Sequence, residues 1–285
     1  MIIVLLKKVL LATDFSEPAR RLIQCLPELK RMGMEEVVLF HAISVMKAQA
    51  SALELKQYNE EELEKEKIKL EEQGLKVSVK VPLGFAPQEI IETAKEEEVS
   101  LILMGSHGGG MIKSIFLGST TFDVIRMSEI PVLVEKYKNV KSDDYRLACD
   151  LKFDKILFPT DFSPCSRIGY GRLKELAPKA QQIHLVSVLE AISNQSVWEE
   201  AKERSEQEMM LMKKELEALG TEAQTHVTQG TPSRQILEIA DREKVSLILI
   251  SRRGQGKIKD LLLGSTAEAV ARQSKQPVLL VPCII

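Results

Sequence analysis

Residues 105–120 read GSHGGGMIKSIFLGST, and residues 251–266 read SRRGQGKIKDLLLGST. Both stretches contain a glycine, nine further residues and then Gly-Ser-Thr. Aligned without a gap around these stretches, residues 99–134 and 245–280 share nineteen of thirty-six positions. Self-similarity of this extent predicts that the chain is a duplication of one domain.

The chain length agrees with a duplication. A chain of 285 residues fits two domains of about 100–200 residues each. We therefore predict a first domain over residues 1–137, a linker over 138–152 and a second domain over 153–285.

Composition and charge exclude several classes of partner. The net charge of −2 argues against a nucleic-acid-binding surface, which usually carries a basic excess. No stretch reaches the roughly 18 apolar residues of a membrane span. The short apolar run at residues 1–6 precedes its lysines, the reverse of a signal peptide. We expect a cytoplasmic protein that binds neither nucleic acid nor membrane.

The four cysteines, Cys25, Cys149, Cys165 and Cys283, are scattered along the chain. They form no Cys-x-x-Cys motif and have no histidine at metal-ligand spacing. In a chain of this length the pattern predicts reduced thiols rather than a disulfide framework.

Each half repeats one order of strands and helices. Short apolar runs alternate with helical patterns, which predicts crossover connections and a parallel sheet. The predicted strands cover residues 8–13, 36–43, 77–81, 100–104 and 131–134, and in the second half 155–160, 182–189, 223–228, 246–250 and 277–281. The predicted helices cover 18–32, 47–72, 88–97 and 119–128, and 165–176, 196–219, 234–244 and 266–274. The fold class is α/β, with two tandem doubly wound parallel-sheet sandwich domains.

Among these helices, the charged stretch 47–72 has Leu53, Tyr58, Leu63 and Leu70 spaced among Glu and Lys. That spacing predicts an amphipathic surface helix.

Two segments of each half converge on one edge of the predicted sheet. The first strand ends in Thr13-Asp14 or Thr160-Asp161, and the glycine loop follows the fourth strand. Ligands of such sheets bind beyond the carboxyl ends of the strands, where the strand order reverses. The sequence therefore predicts one ligand site per domain at this edge.

The glycine loop suits a phosphate group. Gly105 has no side chain to shield its backbone, and Gly118 opens a helix whose free N–H groups and dipole favour an anion. Ser119 and Thr120 either cap that helix or donate a hydroxyl to phosphate. No Gly-Lys-Ser/Thr follows the glycines, so this is not a Walker A loop.

These features together resemble the universal stress protein family. The resemblance rests on the loop spacing, on an N-terminal strand ending in Asp and on a C-terminal Pro-Val-Leu strand, and it covers nearly the whole chain twice. It implies the adenine nucleotide alpha hydrolase-like fold. In nucleotide-binding members the matching loop holds the triphosphate of ATP, with or without Mg²⁺, and the Asp lies near the adenosine.

The resemblance implies a specific set of ATP-binding residues in each half. In the first half these residues are Thr13, Asp14, Ala42, Ile43, Met104, Gly105, Gly108, Gly118, Ser119 and Thr120. In the second half they are Asp161, Val188, Ile250, Gly254, Gly264, Ser265 and Thr266.

The second half departs from the family pattern at Ser251, which replaces the first glycine. Two interpretations are open. The serine side chain crowds the ribose or phosphate path, or Arg252 and Arg253 compensate because guanidinium groups pair well with phosphate. At the position of Arg253 the first half has His107, which we expect to be a solvated side chain. Ser16 and Ser163 are expected to be turn or cap residues rather than nucleophiles.

The sequence favours a regulatory ATP-binding protein over a dedicated enzyme. Phosphoryl transfer needs a positioned base or water and cationic stabilisation, and no residue pair clearly supplies these. Two alternatives are a slow ATP hydrolase or adenylyl-transferring enzyme, and a nucleotide-free dimeric scaffold. In the family the final strands pair across a dimer, so we expect an intramolecular pseudo-dimer that also forms a homodimer.

Overall fold

The computed structural model describes residues 5–44, 52–107, 117–138, 145–190, 194–254 and 263–284. The chain divides into two compact units, residues 1–148 and 149–285, here called unit 1 and unit 2. The dividing point falls inside the stretch 138–152.

Unit 1 alternates strands and helices. Its strands are β1 (Lys8–Ala12), β2 (Glu36–Phe40), β3 (Lys76–Lys80), β4 (Leu101–Gly105) and β5 (Val132–Glu135), followed by the short hairpin strands β6 (Tyr137–Lys138) and β7 (Arg146–Leu147). Its α-helices are α1 (Glu17–Arg21), α2 (Leu26–Met32), α3 (Ala52–Glu72), α4 (Ala86–Glu96) and α5 (Ser119–Met127).

Unit 2 repeats this order. Its strands are β8 (Lys155–Pro159), β9 (Gln182–Leu189), β10 (Glu222–Gln229), β11 (Leu247–Ser251) and β12 (Val278–Val281). Its α-helices are α6 (Pro164–Leu176), α7 (Gln195–Ala218), α8 (Pro232–Arg242) and α9 (Ser265–Gln273).

The main strands of each unit form a parallel sheet. The strand order is β3-β2-β1-β4-β5 in unit 1 and β10-β9-β8-β11-β12 in unit 2. The order reverses at β1 and at β8, because the chain first builds the sheet in one direction and then returns. The predicted doubly wound α/β fold is confirmed in both units.

The central strands are continuous apolar runs, which is typical of a parallel sheet covered on both faces. Leu101, Ile102 and Leu103 of β4 are fully buried, as are the corresponding residues of β11. These strands fix the backbone from which the glycine loops depart.

The predicted helix over residues 18–32 is wrong as a single helix. A 3₁₀ turn at Leu22–Cys25 separates α1 from α2. Pro27 lies in the first turn of α2, where its missing N–H needs no helical partner. In a continuous α-helix the same proline would remove one of the backbone hydrogen bonds.

Only two of the four residues predicted to form the apolar face of α3 are buried. Leu63 and Leu70 are buried, but Leu53 is 81% exposed and Tyr58 is 61% exposed. Leu63 and Leu70 are one heptad apart and share a face. Tyr58 lies about 140° around the helix from Leu63, at roughly 100° per residue, so it faces away from the sheet.

Candidate functional site

The switch in strand order brings the two predicted segments of each unit together. In unit 1, β1 pairs directly with β4, so the turn at Thr13-Asp14 and the loop that begins at Gly105 leave neighbouring strands. In unit 2, β8 pairs with β11 and places Asp161 beside the Ser251 loop in the same way.

The Thr-Asp turn has the same hydrogen bonds in both units. The Phe15 N–H donates to Thr13 Oγ1 at 3.1 Å, and the Ser16 N–H donates to Asp14 Oδ1 at 3.0 Å. In unit 2 the matching distances, to Thr160 Oγ1 and Asp161 Oδ1, are both 3.1 Å. The two aspartates therefore have a fixed position at the strand end.

The residue after each aspartate has a left-handed backbone. Phe15 has φ 61° and Phe162 has φ 60°. Bulky residues rarely adopt this conformation, and it persists where surrounding contacts over-determine it. The turn thus has the same strained geometry in both copies.

Two serines cap the helices that follow these turns. Ser16 Oγ accepts a hydrogen bond from the Ala19 N–H, and Ser163 Oγ accepts one from the Ser166 N–H at 3.2 Å. The prediction that Ser16 and Ser163 are cap residues is confirmed.

The glycine loop returns to its own starting point before the next helix begins. The Gly118 N–H donates to the Ser106 carbonyl at 2.8 Å, and the Gly264 N–H donates to the Arg252 carbonyl at 2.8 Å. The first turns of α5 and α9 therefore lie directly against the ends of β4 and β11.

Both of these helix starts suit an anion. Gly118 and Gly264 are the N-cap residues and have no side chain to cap the first turn. The following Ser119 and Ser265 are exposed, and Thr120 and Thr266 are half-buried. An uncapped helix start presents backbone N–H groups and the positive end of the helix dipole.

Gly105 accommodates a protein side chain. A Cβ added to Gly105 would overlap the hydroxyl oxygen of Tyr137 and lie 3.2 Å from the His107 carbonyl oxygen. The φ angle of Gly105 is not positive. Packing against Tyr137 therefore accounts for a glycine at this position, and its part in ATP binding stays a prediction.

Ser251, the equivalent position in unit 2, faces a helix. Its hydroxyl donates to the Cys165 carbonyl at 2.9 Å, and its side chain is buried. A Cβ added to Gly169 of α6 would overlap Ser251 Oγ and lie 3.2 Å from Phe158 Cε2. The Ser251 side chain therefore packs against the glycine of α6, which argues against the interpretation that it crowds the ligand path.

Asp161 and the glycine loop of unit 2 are in contact. A Cβ added to Gly254 would overlap Asp161 Oδ2. The two predicted site residues therefore approach closely because one of them has no side chain. The matching Gly108 of unit 1 lies outside the described residues.

The apolar residues predicted to bind the nucleotide differ in burial. Met104 and Ile250 are buried at the strand ends. Ala42 and Val188 are half-buried, and Ile43 is buried and forms a parallel bridge with Leu83. These residues give the strand ends apolar surface of the kind that a base would contact, and base binding here stays a prediction.

Sequence reasoning missed His41. Its Nδ1 donates to the Thr13 carbonyl at 2.9 Å, and its ring lies 4.6 Å from the Phe15 ring centroid. Burial lowers the pKa of His41, while the Thr13 hydrogen bond and the Asp14 charge oppose that shift. A polar residue directly after the apolar run of β2 was the available signal.

The residues that follow Gly105 and Ser251 are wholly or partly buried. His107 is buried, and its Nδ1 lies 2.8 Å from Ser106 Oγ, so the expectation of a solvated histidine is wrong. In unit 2, Arg252 is buried and Arg253 is half-buried. Anion binding by this pair stays a prediction, and it rests mainly on Arg253.

Two cysteines of unit 2 form a disulfide, which corrects the expectation of reduced thiols. Cys165 and Cys283 are bonded, with Cα atoms 5.0 Å apart. They are separated by 118 residues in sequence, so spacing alone gave no indication of the pair. Cys25 and Cys149 are not part of a disulfide.

Two histidines of unit 2 also form a pair that spacing did not reveal. His184 Nδ1 lies 3.0 Å from His226 Nε2, on adjacent strands. Burial, and then the neighbouring His226, lowers the pKa of His184 to about 4. Burial also lowers the pKa of His226.

Within the described ranges, no group of three or more His, Cys, Asp or Glu side chains is arranged to hold a metal ion. Across the same parts of the chain, no helix is both long enough and apolar enough to span a bilayer.

Comparisons with known proteins give one consistent family. The model of the universal stress protein family matches residues 6–136 and 152–282. Universal stress protein MJ0577 of Methanocaldococcus jannaschii is 37% identical over 159 residues, which cover 48% of this chain and 98% of that protein. MJ0531 of the same organism is 30% identical over 139 residues, 45% of this chain and 82% of that protein.

One solved structure extends over both units. The crystal structure of a universal stress protein from Archaeoglobus fulgidus aligns with 97% of this chain and 96% of its own, with a TM-score of 0.76 and 27% identity. The alignment therefore includes residues of both units.

Proposed function

Because the chain belongs to the universal stress protein family, we propose that it is a regulatory protein that binds ATP at the strand-end loop of each unit. The nucleotide stabilises one conformation that a partner recognises, and turnover is not its purpose. A pseudo-dimer within the chain, a homodimer and a cytoplasmic location stay predictions from the sequence.

One observation carries this proposal: each unit places a glycine-capped helix start against the end of the fourth strand, beside an aspartate. The Gly118 and Gly264 hydrogen bonds, both 2.8 Å, hold these helix starts in place. The N–H groups and helix dipole suit the phosphates. The apolar strand ends at Ala42 and Val188 suit the base.

The candidate site has groups that suit ATP but no protein cage for a metal ion among the described residues. The overlap that a Cβ on Gly254 would make with Asp161 marks a cradle where backbone and carboxylate approach closely. A protein cage for Mg²⁺ is absent from the described residues. Mg²⁺ commonly binds through substrate phosphates and one or two carboxylates, so it would arrive with the triphosphate, near Asp14 or Asp161.

The first experiment places a negative charge where the phosphates are expected. Ser119→Asp and Ser265→Asp are exposed substitutions in the first turn of α5 and α9. An acidic residue there stabilises the helix but repels an anionic ligand. Calorimetric titration of nucleotide-stripped protein with ATP and Mg²⁺ should detect two sites. Each variant should lower the ATP affinity of the unit that carries the substitution by at least tenfold.

The matched controls are Ser119→Asn and Ser265→Asn, which keep a polar side chain without charge. They should retain both sites within about threefold, and no variant should melt at a lower temperature. ATP binding that is unchanged in both aspartate variants, or absent from the unsubstituted protein, would overturn the proposal.

A further inference from the structure

We propose that the Cys165–Cys283 disulfide is a thiol–disulfide exchange site through which a dithiol reductant lowers the ATP affinity of unit 2. This inference rests on the proposed function and adds a mechanism that regulates it. The reaction partner is identified only by its chemistry, a compound or protein with two neighbouring thiols.

The disulfide joins the two walls of the candidate site. Cys165 is the second residue of α6, four residues after Asp161. Cys283 lies two residues beyond Val281, the last residue of β12. The bond therefore connects the aspartate wall to the strand that flanks the glycine loop.

Each half of the disulfide is close to a hydrogen bond that reaches the loop. The Cys165 carbonyl accepts from Ser251 Oγ at 2.9 Å. On the other side, the Val281 carbonyl accepts from the Arg252 N–H at 2.8 Å, and the Arg252 carbonyl accepts from the Gly264 N–H at 2.8 Å. The bond thus holds together the groups that position the start of α9.

Unit 1 has the same backbone contacts without the covalent bond. The Ser106 N–H donates to the Glu135 carbonyl at 2.9 Å, and the Gly118 N–H donates to the Ser106 carbonyl at 2.8 Å. The positions that match Cys165 and Cys283 are Pro18 and Tyr137. Unit 1 is therefore an internal control that a thiol reagent should leave unchanged.

The dithiol reduces the Cys165–Cys283 bond in two exchange steps. A thiolate of the dithiol attacks one sulfur of the pair, the S–S bond breaks, and the other cysteine leaves as a thiolate that takes up a proton. The second thiol of the reagent then attacks the mixed disulfide, so the reagent ends as a disulfide and both cysteines as thiols. Cys165 and Cys283 are 7% and 8% exposed, so the attack follows local opening at the end of β12.

Reduction removes the link between α6 and the end of β12. The Ser251 and Arg252 hydrogen bonds then hold the walls without covalent support. Ser251, Arg252 and the start of α9 gain freedom, and ATP binding has to order them again. We expect at least a tenfold loss of affinity in unit 2 and less than a twofold change in unit 1.

The experiment measures one unit at a time in the full chain. Ser119→Asp leaves unit 2 to bind, and Ser265→Asp leaves unit 1. Each variant is titrated with ATP and Mg²⁺ after air oxidation, and again after anaerobic treatment with dithiothreitol and its removal. Thiol titration should count two free thiols before reduction and four after it. Circular dichroism checks that the reduced chain stays folded.

A second pair of variants separates the disulfide from the reagent. Cys165→Ala with Cys283→Ala should bind like the reduced protein and ignore dithiothreitol. Cys149→Ser removes a cysteine outside the pair and should respond like the unsubstituted chain.

Several results would overturn the inference. One is equal affinity of unit 2 in both redox states, which leaves the proposed function intact. Others are four free thiols in the oxidised protein, or unfolding on reduction. A chain that binds no ATP in either state would overturn the proposed function and this inference together.

Discussion

The strand-end position before the loop is Gly105 in unit 1 and Ser251 in unit 2, and the space next to it is filled differently. In unit 1 the Tyr137 hydroxyl occupies the place of a Cβ on Gly105. In unit 2 the position has a side chain, and Gly169 of the facing helix makes room for it. The residue that matches Gly169 in unit 1 is Leu22, which is buried.

A glycine in a sequence motif can thus be required by packing within the protein rather than by contact with a ligand. Both units keep the hydrogen bond that closes the loop at 2.8 Å, so this contact forms whichever side supplies the space. The glycine lies on the strand in unit 1 and on the helix in unit 2, and in each unit a hydroxyl group occupies the space that its Cβ would need.

The largest effect is expected from making unit 1 resemble unit 2 at this position alone. Gly105→Ser should destabilise unit 1 by about 1–3 kcal/mol, the usual cost of overpacking, since its Cβ meets the Tyr137 hydroxyl and the His107 backbone. Hydrogen exchange of peptides from each unit would measure the loss, which should be confined to unit 1.

The control for this prediction is Tyr137→Phe. The Tyr137 hydroxyl oxygen is buried and has no hydrogen-bond partner among the described residues, and burial raises the pKa of Tyr137 well above its usual value. Tyr137→Phe alone should not destabilise the protein, and it should recover at least half of the Gly105→Ser loss. Additive effects of the two changes would contradict the packing explanation.

A smaller effect is expected from the reciprocal change in unit 2. Gly169→Ala removes a glycine from a helix interior, a gain of about 1 kcal/mol, but its Cβ displaces Ser251 Oγ from the Cys165 carbonyl. A buried hydroxyl without a partner costs about 1–3 kcal/mol. Thermal melts should show net destabilisation for Gly169→Ala and a gain once Ser251→Gly is added. A stabilising Gly169→Ala single variant would disprove this account.

The smallest effect is expected from mild acid. The folded pKa values of His184 and His226 lie below the ordinary value, so the unfolded chain binds more protons below about pH 6.5. The free energy of unfolding of unit 2 should therefore fall by about 1 kcal/mol from pH 7.5 to 6.0. The cluster includes Lys155 and Arg242, which oppose protonation, and Glu222 and Glu243, which favour it.

Unit 1 has Val38 and Lys80 at the matching positions, so it lacks this histidine pair and its free energy of unfolding should fall less in acid. His184→Gln should reduce the acid sensitivity of unit 2. Hydrogen exchange at both pH values would test this, and an equal loss in both units would contradict it.

Much of each fold could be predicted because the signals are local. The continuous apolar runs of β4 and β11, and the Thr-Asp turns with their Ser16 and Ser163 caps, depend on neighbours within a few residues. The break in the first helix at Leu22–Cys25 was missed although Pro27 was visible, because a proline is also accepted in the first turn of a helix.

The contacts that distinguish the two units could not be predicted in this way. The Cys165–Cys283 bond, the His184–His226 pair and the Tyr137–Gly105 contact each join residues that are far apart in sequence or on different elements. Nothing in the spacing of these residues distinguishes them from others of the same type.

The sequence by itself determined the duplication, the parallel α/β order, the strand-end turns and the glycine-capped helix starts, because each follows from local pattern and from comparison of the two halves. Only the tertiary structure decided which side chain fills the space at Gly105 and Ser251, which cysteines bond and which histidines are buried together. Those outcomes depend on how the elements pack in three dimensions, and packing brings together atoms whose separation along the chain has no fixed relation to their distance in space.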